Sequence, residues 1–260
     1  MNSRRMIIAT ALLASVALCG AEATPSGQGA GKPAAVKAQG KKKAGKAKKM
    51  DHWHKRVQEI RAEIKALPPD TTGTIVMLGD SITEQFFRQK QMPAEIDGVI
   101  VVNEGISGDQ IDRPTSSTGV TYRVPLVRKA KPAVVFVMIG INDFWGGKET
   151  PEEVLPQYDK MYKMLREACP DTKFVLQSVL PTSKANAYMN PNVDKLNDHI
   201  KQLASESGAI YLDLHPVMED AKGELKADFT ADGVHLNPQG YQVWLKELKK
   251  TVGEVLSASK

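Results

Sequence analysis

Cysteine is almost absent from this chain, with only Cys19 and Cys169 in 260 residues. If Cys19 is removed with an N-terminal signal, Cys169 alone cannot form an internal disulfide, and no Cys/His zinc spacing exists. Cys169, in "LREACPD" near a predicted helix end, reads as a buried or half-buried structural thiol. No run approaches the roughly 20 apolar residues of a membrane span, so none is expected. The common phosphate and metal signatures are missing too. There is no G-x-G-x-x-G and no H-E-x-x-H. "NDFWGGKE" fails as a phosphate loop, because its first glycine is out of register and Glu149 stands where Ser or Thr is required. No G-x-S-x-G occurs, which argues against the α/β-hydrolase fold. No cofactor and no metal are expected.

Acids are scarce in one region. Residues 1–50 hold ten Lys/Arg against the single acid Glu22, so a whole-chain charge of +5 leaves residues 51–260 at −4. The basic character belongs to the tail, which speaks against nucleic acid as a partner of the folded part. Arg4 and Arg5 precede "MIIATALLASVAL" (6–18), and Ala21-Glu22-Ala23 fits a small-x-small cleavage pattern. Residues 1–23 are expected to be a secretory signal, giving a secreted or periplasmic protein. A lipoprotein anchor at Cys19 is the alternative, although Leu18 before it is a poor fit. Residues 24–50 have no aromatic and no acid and cannot offset their ordering entropy by burial. They are expected to be a disordered linker, either a plain spacer or a segment loosely attracted to anionic envelope surfaces.

Residues 51–260 suffice for one domain with a sizeable core. Trp53, Val57, Ile60, Ile64 and Leu67 recur at helical spacing, predicting a first helix over 52–67 that Pro68-Pro69 ends. Five runs follow, at 74–79, 99–103, 133–140, 173–180 and 209–214. They are continuously apolar rather than alternating, as strands buried on both faces should be. Helical patterns separate them, most clearly at 151–168, 191–207 and 238–257. This alternation predicts an α/β fold, a doubly wound parallel sheet of five strands between two helical layers. Ligands of such sheets bind beyond the carboxyl ends of the strands. Those ends carry Gly79-Asp80-Ser81, "NEGISGDQ" (103–110) and "GINDFWGG" (140–147).

Ser81 has two readings: part of a helix N-cap with Asp80, or a nucleophile at a strand-to-helix corner. A nucleophilic serine needs an imidazole base and a carboxylate to orient it. His52 and His54, in the first helix, read as surface residues; His199 reads as exposed or packing, and His215 as part of a turn. His235 lies in "ADGVHLNPQGY" (231–241), three residues after Asp232, a spacing that lets carboxylate and imidazole meet in a tight turn. An oxyanion would need donors, and Gly108 and Asn142 qualify, although each also reads as an ordinary turn or capping residue.

Gly79-Asp80-Ser81, Gly108 within "NEGISGD", Gly140-Ile141-Asn142-Asp143, and Asp232 with His235 within "DGVHL" occur in an order and spacing that resemble the SGNH, or GDSL-type, hydrolases. The branch they look most like is that of bacterial esterases similar to platelet-activating-factor acetylhydrolase. The resemblance implies a flavodoxin-like sheet, Ser81 as nucleophile, His235 as base and Asp232 as its orienter. It also implies the Ser81 and Gly108 N–H groups and the Asn142 side chain as oxyanion donors. Segment 112–126, "DRPTSSTGVTYRVPL", is longer and more polar than that branch carries at this point, and is expected to reshape the pocket. The expected activity is that of a serine esterase on small acyl esters, acetyl esters of carbohydrates first among them. A lysophospholipase or thioesterase, and a non-catalytic binding module, are the alternatives.

Overall fold

The computed structural model describes residues 52–257; the expected signal (1–23) and linker (24–50) lie outside the described residues. The central apolar runs form parallel strands because their side chains are covered on both faces, while the edge strand Ile210–Leu212 is only partly covered. β1 (Thr74–Gly79) is buried at all six positions. A two-residue strand, β2 (Glu95–Ile96), pairs antiparallel with the start of β3 (Val99–Gly105). β4 (Pro132–Met138), β5 (Lys173–Gln177) and β6 (Ile210–Leu212) complete the order β2-β3-β1-β4-β5-β6. β1 pairs on one side with β3 (Ile75 opposite Val101) and on the other with β4 (Ile75 opposite Val134).

The sheet therefore has six strands, not the expected five. The extra strand exists because Asp97 and Gly98 both take left-handed backbone angles, φ 51° and 77°, the turn that reverses a strand in two residues. "EIDGVI" carries that signal. β5 also stops earlier than its apolar run suggests. Beyond it the Asn197 amide takes both backbone groups of Val179, at 2.7 and 2.9 Å, where a strand partner would otherwise be needed.

The helices are α1 (52–65), α2 (Ser81–Arg88), α3 (Val124–Lys129), α4 (Pro151–Ala168), α5 (Asn190–Ser207), α6 (His215–Met218) and α7 (Pro238–Ser257). Right-handed crossovers put α2 on one face of the sheet and α3, α4 and α5 on the other, because the chain reverses direction after β3. α7 returns to the α2 face. There Phe86 stacks on Tyr241 and on Trp244, each at 4.9 Å between ring centres. The Tyr241 hydroxyl donates to the Ile82 carbonyl (2.8 Å), and Trp244 Nε1 donates to Gln177 (2.8 Å). This packing fixes the start of α7 against the start of α2. Among the described residues no helix is long and apolar enough to cross a membrane.

Candidate active site

The strand-to-helix corner needs glycine for space. A side chain at Gly79 would run into Thr83 Oγ1 and the Met138 carbonyl, and one at Gly105 into the backbone of Thr83 and Glu84. β1 and β3 thus end flush against the first turn of α2. Asp80 is the N-cap: its buried carboxylate accepts the Ile82 N–H at 2.9 Å. Burial raises Asp80 to about 7, against the opposing pull of that N–H and of His235. Ser81 is the first helical residue, and the helix does not draw on its hydroxyl for a cap.

His235 arrives from the loop before α7. Its Nε2 lies 2.9 Å from Ser81 Oγ, and its Nδ1 lies 2.7 Å from Asp232 Oδ2. The other Asp232 oxygen accepts the N–H groups of Val234 (2.9 Å) and His235 (2.8 Å). Partial burial works against the Asp232 charge, but these hydrogen bonds outweigh it and bring the group down to about 2. An ionised carboxylate can only accept, so the imidazole proton sits on Nδ1 and Nε2 presents its lone pair to the serine O–H. The loop is clamped from several sides. Thr230 Oγ donates to the His235 carbonyl (2.8 Å), Ser183 N–H to the Gly233 carbonyl (2.9 Å) and Asn186 to the Asp232 carbonyl (3.1 Å). The Asp232 side chain remains 55% exposed, so these bonds rather than burial hold it in place.

Gly108 has a left-handed backbone, φ 76°, with open space where a side chain would stand. Asn142 Nδ2 donates to the Asp109 carbonyl at 2.9 Å, which leaves the second hydrogen of the amide for another acceptor. Ser81, Gly108, Asn142 and His235 all line one cavity of about 560 Å³. The structure thus brings together all five residues that the sequence singled out, with Asp232 behind His235.

Several residues of the site carried no sequence signal. His52, expected at the surface, lines the cavity, and its Nε2 lies 3.0 Å from Glu84. Glu84 also accepts the N–H and hydroxyl of Ser107, both at 2.7 Å, and Arg88 Nε at 2.9 Å. Burial opposes its charge, yet these donors hold it at about 2. The loop that presents Gly108 is thereby tied to α2. Arg123 is buried and donates to Asp109 Oδ2 (2.9 Å), the Gly79 carbonyl (2.9 Å) and the Glu104 carbonyl. Trp53 Nε1 donates to the other Asp109 oxygen at 3.0 Å. One guanidinium therefore joins the ends of β1 and β3 to the residue whose carbonyl holds Asn142. His199 pairs with Asp159 and His215 with Glu219, both away from the cavity. Cys169 is buried, and burial raises its thiol. Among the described residues no group of three or more His, Cys, Asp or Glu side chains is placed to hold a metal ion.

Glu104 shows what this buried network costs. Both of its carboxylate oxygens are buried without a hydrogen bond, and Arg123 comes no nearer than 3.7 Å. Burial raises Glu104 from 4.5 to about 7, with Arg123 and Arg56 pulling the other way. A raised carboxyl keeps its proton in the folded state where the unfolded chain has lost it. Its stabilising share is full below about 4.5 and is lost as pH rises through about 7. Glu104→Gln should therefore raise the melting temperature at pH 8 and leave it little changed at pH 4.5. Equal effects at the two pH values would show that Glu104 ionises freely in the fold.

A doubly wound sheet with a serine, an imidazole and a carboxylate in line at its carboxyl edge defines a class of hydrolytic site. The GDSL-like lipase/acylhydrolase family model matches residues 77–243, and the chain belongs to that family, a class of carboxylic ester hydrolases. An acetylxylan esterase from Geobacillus stearothermophilus is 24% identical over 165 residues, 60% of this chain and 73% of that protein. An N-acylneuraminate cytidylyltransferase from Escherichia coli O18:K1:H7 is 25% identical over 218 residues, 84% of this chain. The chain spans about half of that relative's length, 48%. Among solved structures, a GDSL-like lipase from Bacteroides thetaiotaomicron superposes with a TM-score of 0.64 at 21% identity, covering 79% of this chain and 98% of the other.

Proposed function

We propose that this protein is a serine esterase that hydrolyses small acyl esters, acetyl esters of carbohydrates first among them. The observation that carries this reading is the line Asp232–His235–Ser81, at 2.7 and 2.9 Å, opening on the cavity. Ser81 Oγ attacks the ester carbonyl while His235 Nε2 takes its proton, and Asp232 offsets the charge this leaves on the imidazole. The carbonyl oxygen becomes an oxyanion, met by the N–H groups of Ser81 and Gly108 and by the spare hydrogen of the Asn142 amide. His235 returns its proton to the departing alcohol. Water, activated by the same imidazole, then releases the acid from the acyl-serine.

The cavity wall favours a short acyl group and a polar alcohol over a lipid. Val234 is the one aliphatic side chain among its lining residues; Gln85, Ser107 and Gln110 are among the others. Apart from Val234 and the Trp145 ring, the side chains that a long chain would meet there are polar or charged. The acetylxylan esterase relative is consistent with the same substrate class. The cytidylyltransferase relative does not bear on the activity, because about half of that protein has no counterpart in this chain. A p-nitrophenyl ester series decides between short-chain esterase and lysophospholipase. We expect kcat/KM to be highest for acetate and to fall by roughly tenfold or more by octanoate, since extra methylenes beyond the reach of Val234 and Trp145 lie against polar side chains. A rise with chain length would favour the lipid reading.

A further inference from the structure

The cavity over Ser81 holds positive charge that ester hydrolysis does not need. Arg113 and Lys148 line it, and no Asp or Glu does. The residues from 51 onward carry a net −4, so the cavity opposes the average of its own domain. Four other cations around the site are matched: Arg56 with Glu63 (2.8 Å), Arg88 with Glu84 (2.9 Å), Arg123 with Asp109 (2.9 Å) and Lys160 with Asp112 (2.6 Å). Among the described residues Arg113 and Lys148 have no ion-pair partner.

Their sequence neighbours could have neutralised them and are engaged elsewhere. Asp112, next to Arg113, accepts from Thr121 (2.7 Å) as well as from Lys160. Glu149, next to Lys148, accepts from Gln157 at 2.8 Å. The backbone of Arg113 is also held: it exchanges hydrogen bonds with Thr118, at 2.9 and 3.3 Å, across the short loop between them. Arg113 belongs to segment 112–126, whose polar character sets it apart in the sequence. Two cations in a concave, acid-free wall raise the local concentration of anions.

Building on the esterase reading, we propose that the natural ester carries a negative charge on its alcohol part, which Arg113 and Lys148 receive while Ser81 attacks the acyl carbonyl. The ligand chemistry is that of an acylated sugar acid or sugar phosphate rather than a neutral sugar. Trp145, 42% exposed and lining the same cavity, offers apolar surface to the sugar.

The test uses the full chain and three monoacetates that differ only at C6: methyl galactoside, methyl galacturonoside and methyl galactoside 6-phosphate. We expect at least one anionic ester to exceed the neutral one in kcat/KM by about tenfold, mainly through KM, since ion pairs to a half-buried Arg113 and an exposed Lys148 contribute a few-fold each. Whichever anion leads identifies the source of the charge. The preference should fall toward one in Arg113→Gln/Lys148→Gln, and should shrink as salt rises. Lys163→Gln, whose lysine pairs with Glu167 and lines no part of the cavity, should keep it. A neutral ester hydrolysed as well as both anionic ones overturns the proposal. So does a preference that survives the double substitution. Binding of the unacetylated glycosides to Ser81→Ala, read by calorimetry, needs no turnover. Tighter binding of an anionic glycoside without hydrolysis of any acetate would keep the anion site and sink the esterase reading. No difference in binding would sink the anion site.

Discussion

Ser81→Ala should lower kcat/KM for a small acetate ester by roughly 10⁴–10⁶-fold, the loss expected when the nucleophile of a coupled triad is removed. It should also abolish covalent labelling by a fluorophosphonate. The fold should survive, because Asp80 and not Ser81 caps α2. A far-ultraviolet spectrum and melting temperature close to those of the parent would therefore accompany the lost activity. The same experiment separates an esterase from a binding module built on an esterase scaffold, since a module would show no Ser81-dependent labelling at all. Labelling that persists in the alanine variant would place the nucleophile elsewhere.

Asn142→Ala should leave KM nearly unchanged and reduce kcat by roughly 10²–10³-fold, the loss expected for one donor to an oxyanion. The reason lies in how the amide is held. One hydrogen of Nδ2 is committed to the Asp109 carbonyl at 2.9 Å, and Asp109 is itself fixed by Trp53 and Arg123. The other hydrogen needs no reorganisation when charge develops on the substrate. The fall should be smaller than for Ser81→Ala, because the nucleophile, the base and two backbone donors remain. If Asn142 only ties its loop to Asp109, the variant would melt at a lower temperature with kcat per folded molecule intact. Measuring kcat on folded protein distinguishes the two.

Much of this architecture was legible in the sequence, for local reasons. A strand covered on both faces must be apolar throughout, so β1, β3, β4 and β5 announce themselves as unbroken apolar runs, and the half-covered edge strand β6 as the short run Ile-Tyr-Leu. α4 begins at the predicted Pro151, where a proline lacking an N–H costs nothing and Glu153 accepts the Thr150 N–H at 2.9 Å. Asp232 and His235 could be paired on the page because three residues of one tight loop separate them. Ser81, Gly108 and Asn142 could be nominated because strand ends converge on one edge of the sheet. β2 was missed although its Asp97-Gly98 turn is a recognisable signal, because a two-residue strand has no periodicity to read.

Other features depend on distances that no local pattern encodes. Trp53 reaches Asp109 across 56 residues, and His52 reaches Glu84 across 32. Both sit on a helix whose spacing announces only which face is apolar. Arg113 and Arg123 lie ten residues apart in one polar segment and look equivalent as letters. The fold buries Arg123, because three acceptors at the ends of β1 and β3 and in the loop after β3 converge to satisfy its guanidinium. It leaves Arg113 facing the cavity with Asp112 already engaged by Lys160 and Thr121. The sequence determined which segments are buried and which chemical groups are present. Tertiary structure decided which charges are neutralised and which stay available to a substrate, because charge pairing depends on separation in space and chain order does not record it.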